Sequence, residues 1–416
     1  MALDNALSQI RDADWLDARR MRVYALFVLV LLGILPIIAR FAAGHGLIDK
    51  SSVPFGGDYI SFYAASKLAL SGHAADAWHP AIHKAAENAV FDNRLHDYWA
   101  FFYPPAYMVI CVPLGLLSYG WSVLIAMSAT TMAMLKWLHV WLRQMRPDAS
   151  GLWLPLIAFP GVWMNIACGQ NAALTTALMA GGCLLLQRAP VISGLVFGLL
   201  VIKPQLALAI PFILAADGRW RTFFATAFSA VTLSAIAFFV VGQTGYAAFF
   251  ANSHLAREAL EKGLVDTSAI QSAFAGLKLL GLPNGLAYAG HALVALAVLG
   301  WSVHIIRRYR PDAVALGALL ASATLLLSPF LLNYDLMMIA LPLGWLVMQG
   351  ARQGFRPWEK MLCIGLYLLP FLTRGLTDMI HVPVGVLMTG ALFLLVQGRI
   401  TKMADIRVPA ILEPAA

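Results

Sequence analysis

The chain alternates between long apolar runs and short polar breaks, and the breaks hold most of the charge. The first run, "VYALFVLVLLGILPIIARFAA" at 23–43, is about 20 residues long, enough for roughly 30 Å of helix and one bilayer crossing. Further runs lie at 104–118, 121–142, 152–168, 171–187, 190–215, 222–241, 286–306, 313–331, 335–349, 361–373 and 383–397. The pattern predicts an all-α polytopic membrane protein with about 11 to 13 transmembrane helices. The first run is longer than the apolar part of a secretory signal and is followed by no convincing cleavage site. It is therefore expected to persist as a signal-anchor.

Basic residues orient the runs. Arg19, Arg20 and Arg22 precede the first one, and Arg143 and Arg146, Arg188, Arg219 and Arg221, Arg307 to Arg310, Arg352 to Lys360, and Arg399 with Lys402 close later ones. By the positive-inside rule these clusters are cytoplasmic. They agree with one another if 190–215 goes out and returns as a hairpin broken at Lys203-Pro204, a break tolerated where it lines a cavity. The segment 103–120 fits badly, since it would begin and end outside; either it re-enters without crossing or one cluster is misread. The expected organisation is a cytoplasmic segment 1–22, one membrane domain 23–397 and a cytoplasmic tail 398–416. Extracytoplasmic loops are expected at 44–102, with short amphipathic helices near "ADAWHPAIHKAAENAVFDNRL", and at 242–284.

Composition supports this reading. The 416 residues are 60% hydrophobic and 12% charged, against about 25% charged in water-soluble domains. The net charge of +8 comes from the clusters beside apolar runs, so it does not point to nucleic acid. Cys111, Cys168, Cys183 and Cys363 lie in apolar segments at no metal or disulfide spacing and read as small hydrophobes. The basic, Ala/Leu-rich composition fits a bacterial inner membrane.

The chemistry has to come from the few polar residues at the outer side. Asp58, in "PFGGDYISFYAASKLALSG", stands behind two glycines that permit a tight turn or a close approach. It reads either as a functional acid or as a helix N-cap accepting from the backbone of residue 60 or 61. Lys203 is flanked by apolar sequence on both sides; it is either a fixed charge for a phosphate or a snorkelling side chain. Gln170 and Asn171 are candidate donors to a sugar or phosphate, or simply a loop tip. Arg374, Asp378 and His381 form a further cluster, in which Arg374–Asp378 has the spacing of a structural ion pair. His79 and His83 share a helical face without a matching metal ligand set, so no metal site is expected. An acid beside an acceptor hydroxyl, with cations near a leaving phosphate, suggests transfer from a lipid phosphate.

Five motifs in order, "FGGDYISFYAASKLALSG", "FFYPPAYMVICVPLGLLS", "GQNAALTTALMAGGCLLLQ", "SGLVFGLLVIKPQLALAIPFILAADGRWR" and "LLSPFLLNYDLMMIALPL", resemble glycosyltransferase family 87 over residues 55–345. The resemblance implies a GT-C fold and a polyprenyl-phosphate sugar donor, mannose or arabinofuranose. It also implies an extracytoplasmic, hence periplasmic, active site and an inverting reaction with Asp58 as general base. The acceptor would be a glycolipid or glycan. Lys203 matches the position expected to meet the donor phosphate, and Arg374 joins it as a second cation from the residue reading. Tyr103, Gln170, Asn171, Asn333, Tyr334 and Asp335 match motifs at the substrate site, and His381 joins them from the residue reading. No cofactor is implied. A lipid-linked-sugar transporter or flippase is the alternative, favoured by the broken helix but not by any internal repeat.

Overall fold

The computed structural model describes residues 2–42, 44–148, 151–263 and 266–407. Among the described residues the structure is helical throughout, with isolated β-bridges only. Among the described residues seven helices are long and apolar enough to cross a bilayer: Ala18–Ala42, Tyr119–Arg143, Trp220–Glu258, Asn284–Tyr309, Asn333–Gln353, Glu359–Ile380 and Val384–Ala404. Six shorter apolar helices accompany them. The chain is a multi-pass membrane protein.

The shorter helices shape the site. Trp153–Cys168 and Ala172–Leu185 meet at residues 169–171, and Pro190–Ile202 and Pro204–Ala216 meet at Lys203. Ala313–Leu327 turns into Asn333–Gln353 through "SPFLL". Proline at the first helical position starts Pro160–Cys168, Pro190–Gly198 and the turn after Lys203, where its missing N–H leaves no bond unmade. Gly169 ends its helix in the left-handed conformation, φ 63°, which glycine adopts without strain. The 14 residues of Ala172–Leu185 rise roughly 21 Å, short of the ~30 Å hydrocarbon core. The corners carry their polar residues below a full crossing.

The basic clusters gather at the opposite end. Gln144 Nε2 donates to the Leu184 carbonyl at 3.4 Å and Arg219 Nη1 to the Leu186 carbonyl at 3.0 Å. Arg356 Nη2 donates to the Gly398 carbonyl at 2.6 Å, and Lys360 meets Asp14 at 2.9 Å. Arg399 is fully buried against Glu359, its Nε 2.8 Å from Oε1. Tyr309 and Pro311 line one crevice with Ile400 and Met403. The charge pattern alone anticipated this sorting, because arginine and lysine heads are strongly disfavoured within hydrocarbon.

The segment that fitted badly begins and ends at the same end of the bundle. It forms Pro105–Cys111 and Val112–Leu116. Tyr103, at its start, bonds Gln170, while Tyr119, just after it, donates to the Phe55 carbonyl at 2.6 Å. Both ends therefore lie at the corner end of the bundle. The segment packs beneath Tyr59–Leu70, with Tyr63 Oη donating to the Leu117 carbonyl at 2.8 Å.

Tyr59–Leu70, Ala74–Trp78 and Pro80–Val90 cap this end. Their aromatic rings, with Phe101, Tyr107 and Tyr119, pack mostly edge to face, as between Phe62 and Tyr107 with centroids 5.0 Å apart, the arrangement that ring quadrupoles favour. The expected loop at 242–284 is partly helix. Trp220–Glu261 breaks at Gly242 (φ 67°) and resumes. The bend is sharp enough for Tyr246 Oη to reach the Ser234 carbonyl at 2.7 Å. Its second half then docks on the cap, where Asn252 Nδ2 donates to the Phe101 carbonyl at 3.4 Å.

Candidate active site

Two glycine turns build the site by touching each other. Gly56 and Gly57 have φ 81° and 42°, and the Asp58 N–H donates to the Cys168 carbonyl at 2.9 Å. A Cβ on Gly169 would fall on the Gly56 carbonyl. Only glycine allows so close a backbone approach, and it brings the Asp58 carboxylate beside Gln170. Asn165 holds the second turn from within the bundle. Its Oδ1 accepts from Ala172 N–H at 2.9 Å and Ala173 N–H at 3.3 Å, the first free donors of the following helix, as an N-cap does.

Asp58 does not act as a helix cap. It has helical backbone angles at the N-cap position, yet its side chain accepts nothing from the helix backbone. Instead Gln170 Nε2 donates to Oδ2 at 2.5 Å. Tyr103 Oη donates to Gln170 Oε1 at 2.8 Å, which fixes which end of the amide faces Asp58. Protein surrounds the carboxyl deeply although solvent still reaches part of the residue. Burial raises the Asp58 pKa above the ordinary aspartate value, against the opposing pull of the Gln170 bond and the Lys203 charge. Desolvation dominates because a carboxylate loses more solvation than one amide donor returns.

Lys203 is buried and already paired. Its Nζ lies 2.6 Å from Asp335 Oδ1 and 3.4 Å from Asn171 Oδ1. The ammonium also lies over the Tyr334 ring, 4.9 Å from its centroid, and 5.9 Å from that of Tyr103, within cation–π range. Asp335 Oδ2 accepts from Leu332 N–H at 3.3 Å. Lys203 therefore does not snorkel. Neither is its charge uncompensated: a phosphate reaching it would meet an ammonium with two of its three donors engaged. Tyr103 Oη is 3.5 Å from Asn171 Oδ1, so the Asp58 and Lys203 groups share one polar layer. Asn171 Nδ2 is buried and has no hydrogen-bond partner among the described residues. Asn333 is buried, its Nδ2 3.4 Å from Met164 Sδ.

Other expected residues fall outside this layer. Arg374 is exposed and pairs with Asp266 at 2.7 Å, not with Asp378. His381 ends its helix, exposed, at φ 54°. Among the described residues no hydrogen bond ties either one to Asp58 or Lys203. His79 is exposed whereas His83 is fully buried, so the two imidazoles do not converge. The role of Asn165 was missed; its signal was a lone amide within the apolar "PGVWMNIAC".

A family model, glycosyltransferase family 87, matches residues 101–329, more than half of the chain. The chain belongs to glycosyltransferase family 87. It is thus a membrane glycosyltransferase, which decides against the transporter reading. The family match takes in Tyr103, Gln170, Asn171 and Lys203 and stops before Asp335; Asp58 precedes it. Asp58 joins the family's segment through its bonds to Gln170 and Cys168. No curated protein and no solved structure matches the chain.

Proposed function

We propose that this family 87 enzyme moves a sugar, mannose or arabinofuranose, from a polyprenyl-phosphate donor to a lipid or glycan acceptor, inverting the anomeric centre, with Asp58 as general base. The observation that carries this is the chain Tyr103–Gln170–Asp58, which holds one carboxyl by a single amide in the polar layer it shares with Lys203. Among the described residues, Gln170 is the hydrogen-bond partner of the Asp58 side chain, bound at Oδ2, and Oδ1 is left to face a substrate. The acceptor hydroxyl gives its proton to Asp58 as its oxygen bonds to C1. The C1–O bond to phosphate breaks on the opposite face, and the electron pair leaves with polyprenyl phosphate.

A single displacement needs one base. A double displacement would need a carboxylate nucleophile at C1, and the second acid of the layer, Asp335, is engaged by Lys203. One available carboxyl therefore favours inversion. A base whose pKa is raised toward the working pH also takes a proton more readily. Lys203, through its remaining N–H, and Asn171 Nδ2 would meet the donor phosphate and offset its developing charge. Tyr334, Asn333 and Asp335 would shape the sugar side, with Arg374 and His381 nearer the rim. By the positive-inside rule the site faces away from the cytoplasm, as expected for a bacterial inner-membrane enzyme that builds the periplasmic envelope.

Mass spectrometry of total lipids from cells with the wild-type chain, a deletion or Asp58→Ala tests the proposal. Loss of one glycosylated species, with a precursor lighter by one sugar, in both the deletion and the variant is the expected result. The mass difference then gives the sugar class. Lipids altered by the deletion but not by Asp58→Ala would remove Asp58 from the base role.

A further inference from the structure

His83 and Glu87, one turn apart on Pro80–Val90, are both fully buried. His83 Nε2 lies 3.1 Å from the Ser61 carbonyl. A carbonyl can only accept, so Nε2 carries a proton. Nδ1 then faces Glu87 Oε1 at 3.5 Å, and among the described residues neither atom has a hydrogen-bond partner elsewhere. Two unprotonated acceptors would repel each other there, so a proton belongs between them. Glu87 Oε2 accepts from the Trp99 N–H at 3.2 Å.

We propose that His83 and Glu87 are positioning residues, a proton-holding clamp that fixes the Asp58 turn and the Tyr103 segment against each other. Ser61 is in the first turn after Asp58, its N–H bonded to the Asp58 carbonyl at 3.1 Å. Trp99 is four residues before Tyr103, and the His83 ring also packs on Tyr98 and Phe101, with centroids 5.8 and 6.2 Å away. One buried pair thus grips both ends of the chain Tyr103–Gln170–Asp58. With the proton on Glu87 and His83 neutral, every polar atom of the pair gains a partner. A doubly charged buried pair would carry the larger desolvation penalty.

The pair has a pH window. Burial lowers the His83 pKa to about 4, opposed by the Ser61 carbonyl. Burial raises that of Glu87 to about 8, opposed by the Trp99 N–H and by Lys84 on the same helix, and reinforced by Asp58. Tyr98 and Tyr119 are the other titratable groups facing Glu87. The stabilisation tied to protonated Glu87 is complete below the ordinary glutamate value and lost as pH rises through about 8. That tied to neutral His83 is present above its ordinary value and lost as pH falls through about 4. The clamp closes at neutral pH and loosens in alkali.

Its link to transfer rests on the Asp58 reading; the clamp itself is measured without turnover. The full chain in lipid nanodiscs is followed by hydrogen exchange, corrected for intrinsic rates, with wild type, Glu87→Gln and Glu87→Leu. Wild-type protection over 59–63 and 98–103 should fall about tenfold from about pH 7 to about pH 9. Glu87→Gln, which keeps a donor toward Nδ1, should be protected and insensitive to pH, and Glu87→Leu unprotected throughout. A Glu87→Gln profile that tracks wild type, or full protection in Glu87→Leu, would overturn the clamp. Should Glu87→Leu fail to fold, infrared difference spectra decide: the protonated-carboxyl band that titrates in alkali must vanish in Glu87→Gln, and its persistence refutes the assignment. Transfer retained in Asp58→Asn would instead defeat the base reading and leave the clamp standing.

Discussion

At the scale of single residues, one carboxyl and its amide partner set the pH behaviour. Asp58 must be ionised to accept a proton, and burial holds its pKa above the ordinary aspartate value. Transfer should therefore switch on, as pH rises, later than an exposed aspartate would allow. The Gln170 bond opposes that shift, so Gln170→Leu should move the acid limb to still higher pH. A pH–rate profile of both enzymes checks this, and an unmoved limb would detach Gln170 from the base. Asp58→Asn should lower the rate by about 10²–10⁴, the usual range for a general base. Tyr103→Phe leaves the Gln170 amide unfixed and should lower the rate by about tenfold, the effect of roughly 1.4 kcal/mol in the barrier, with the aromatic packing retained.

At the scale of helices and turns, two contacts decide whether the corners stay together. Gly169→Ala would strain a left-handed residue and push a methyl onto the Gly56 carbonyl. A loss of about 1–3 kcal/mol from the backbone alone is expected, and thermal unfolding in detergent reads it. The Lys203–Asp335 pair behaves differently. Removing one partner strands a buried charge, worth roughly 3–5 kcal/mol, while apolar replacement of both can be nearly neutral. Lys203→Met and Asp335→Leu should each lower the unfolding temperature, and the double variant should recover most of it without recovering transfer. A double variant with wild-type activity would make the pair purely structural. Much of this was legible in the sequence: Lys203-Pro204 announced a broken helix, "GGD" permitted a tight turn and "GQN" read as a loop tip or a donor pair. Their mutual contact was not, because residues 56 and 169 are far apart in sequence and glycine carries no side-chain pattern. The partner of Arg374 was misjudged for a related reason. The i,i+4 rule sees only Asp378 on its own helix, whereas Asp266 arrives from another segment.

At the scale of the whole molecule, hydropathy and charge gave the class of fold and sorted the basic clusters to one end, since both are fixed by the cost of placing charge in hydrocarbon. They could not place residues 103–120. An apolar stretch of that length reads alike as a crossing or as the floor of a cap, and only the tertiary bonds of Tyr103 and Tyr119 separate the two. That difference can be measured. Asp92 is exposed before the segment and Ser118 after it, while Ala351 is exposed at the basic end. Single cysteines at these positions, in sealed right-side-out vesicles, are treated with a membrane-impermeant maleimide. The native thiols give little background, because Cys111, Cys183 and Cys363 are buried and Cys168 is half-buried. Asp92→Cys and Ser118→Cys should both react from outside, and Ala351→Cys only after the vesicles are opened. Reaction at 92 but not at 118 would make the segment a crossing and put Tyr119–Arg143 the other way up. With Arg143 and the other basic clusters at one end of the bundle, that result would also break the positive-inside argument for an outward-facing Asp58.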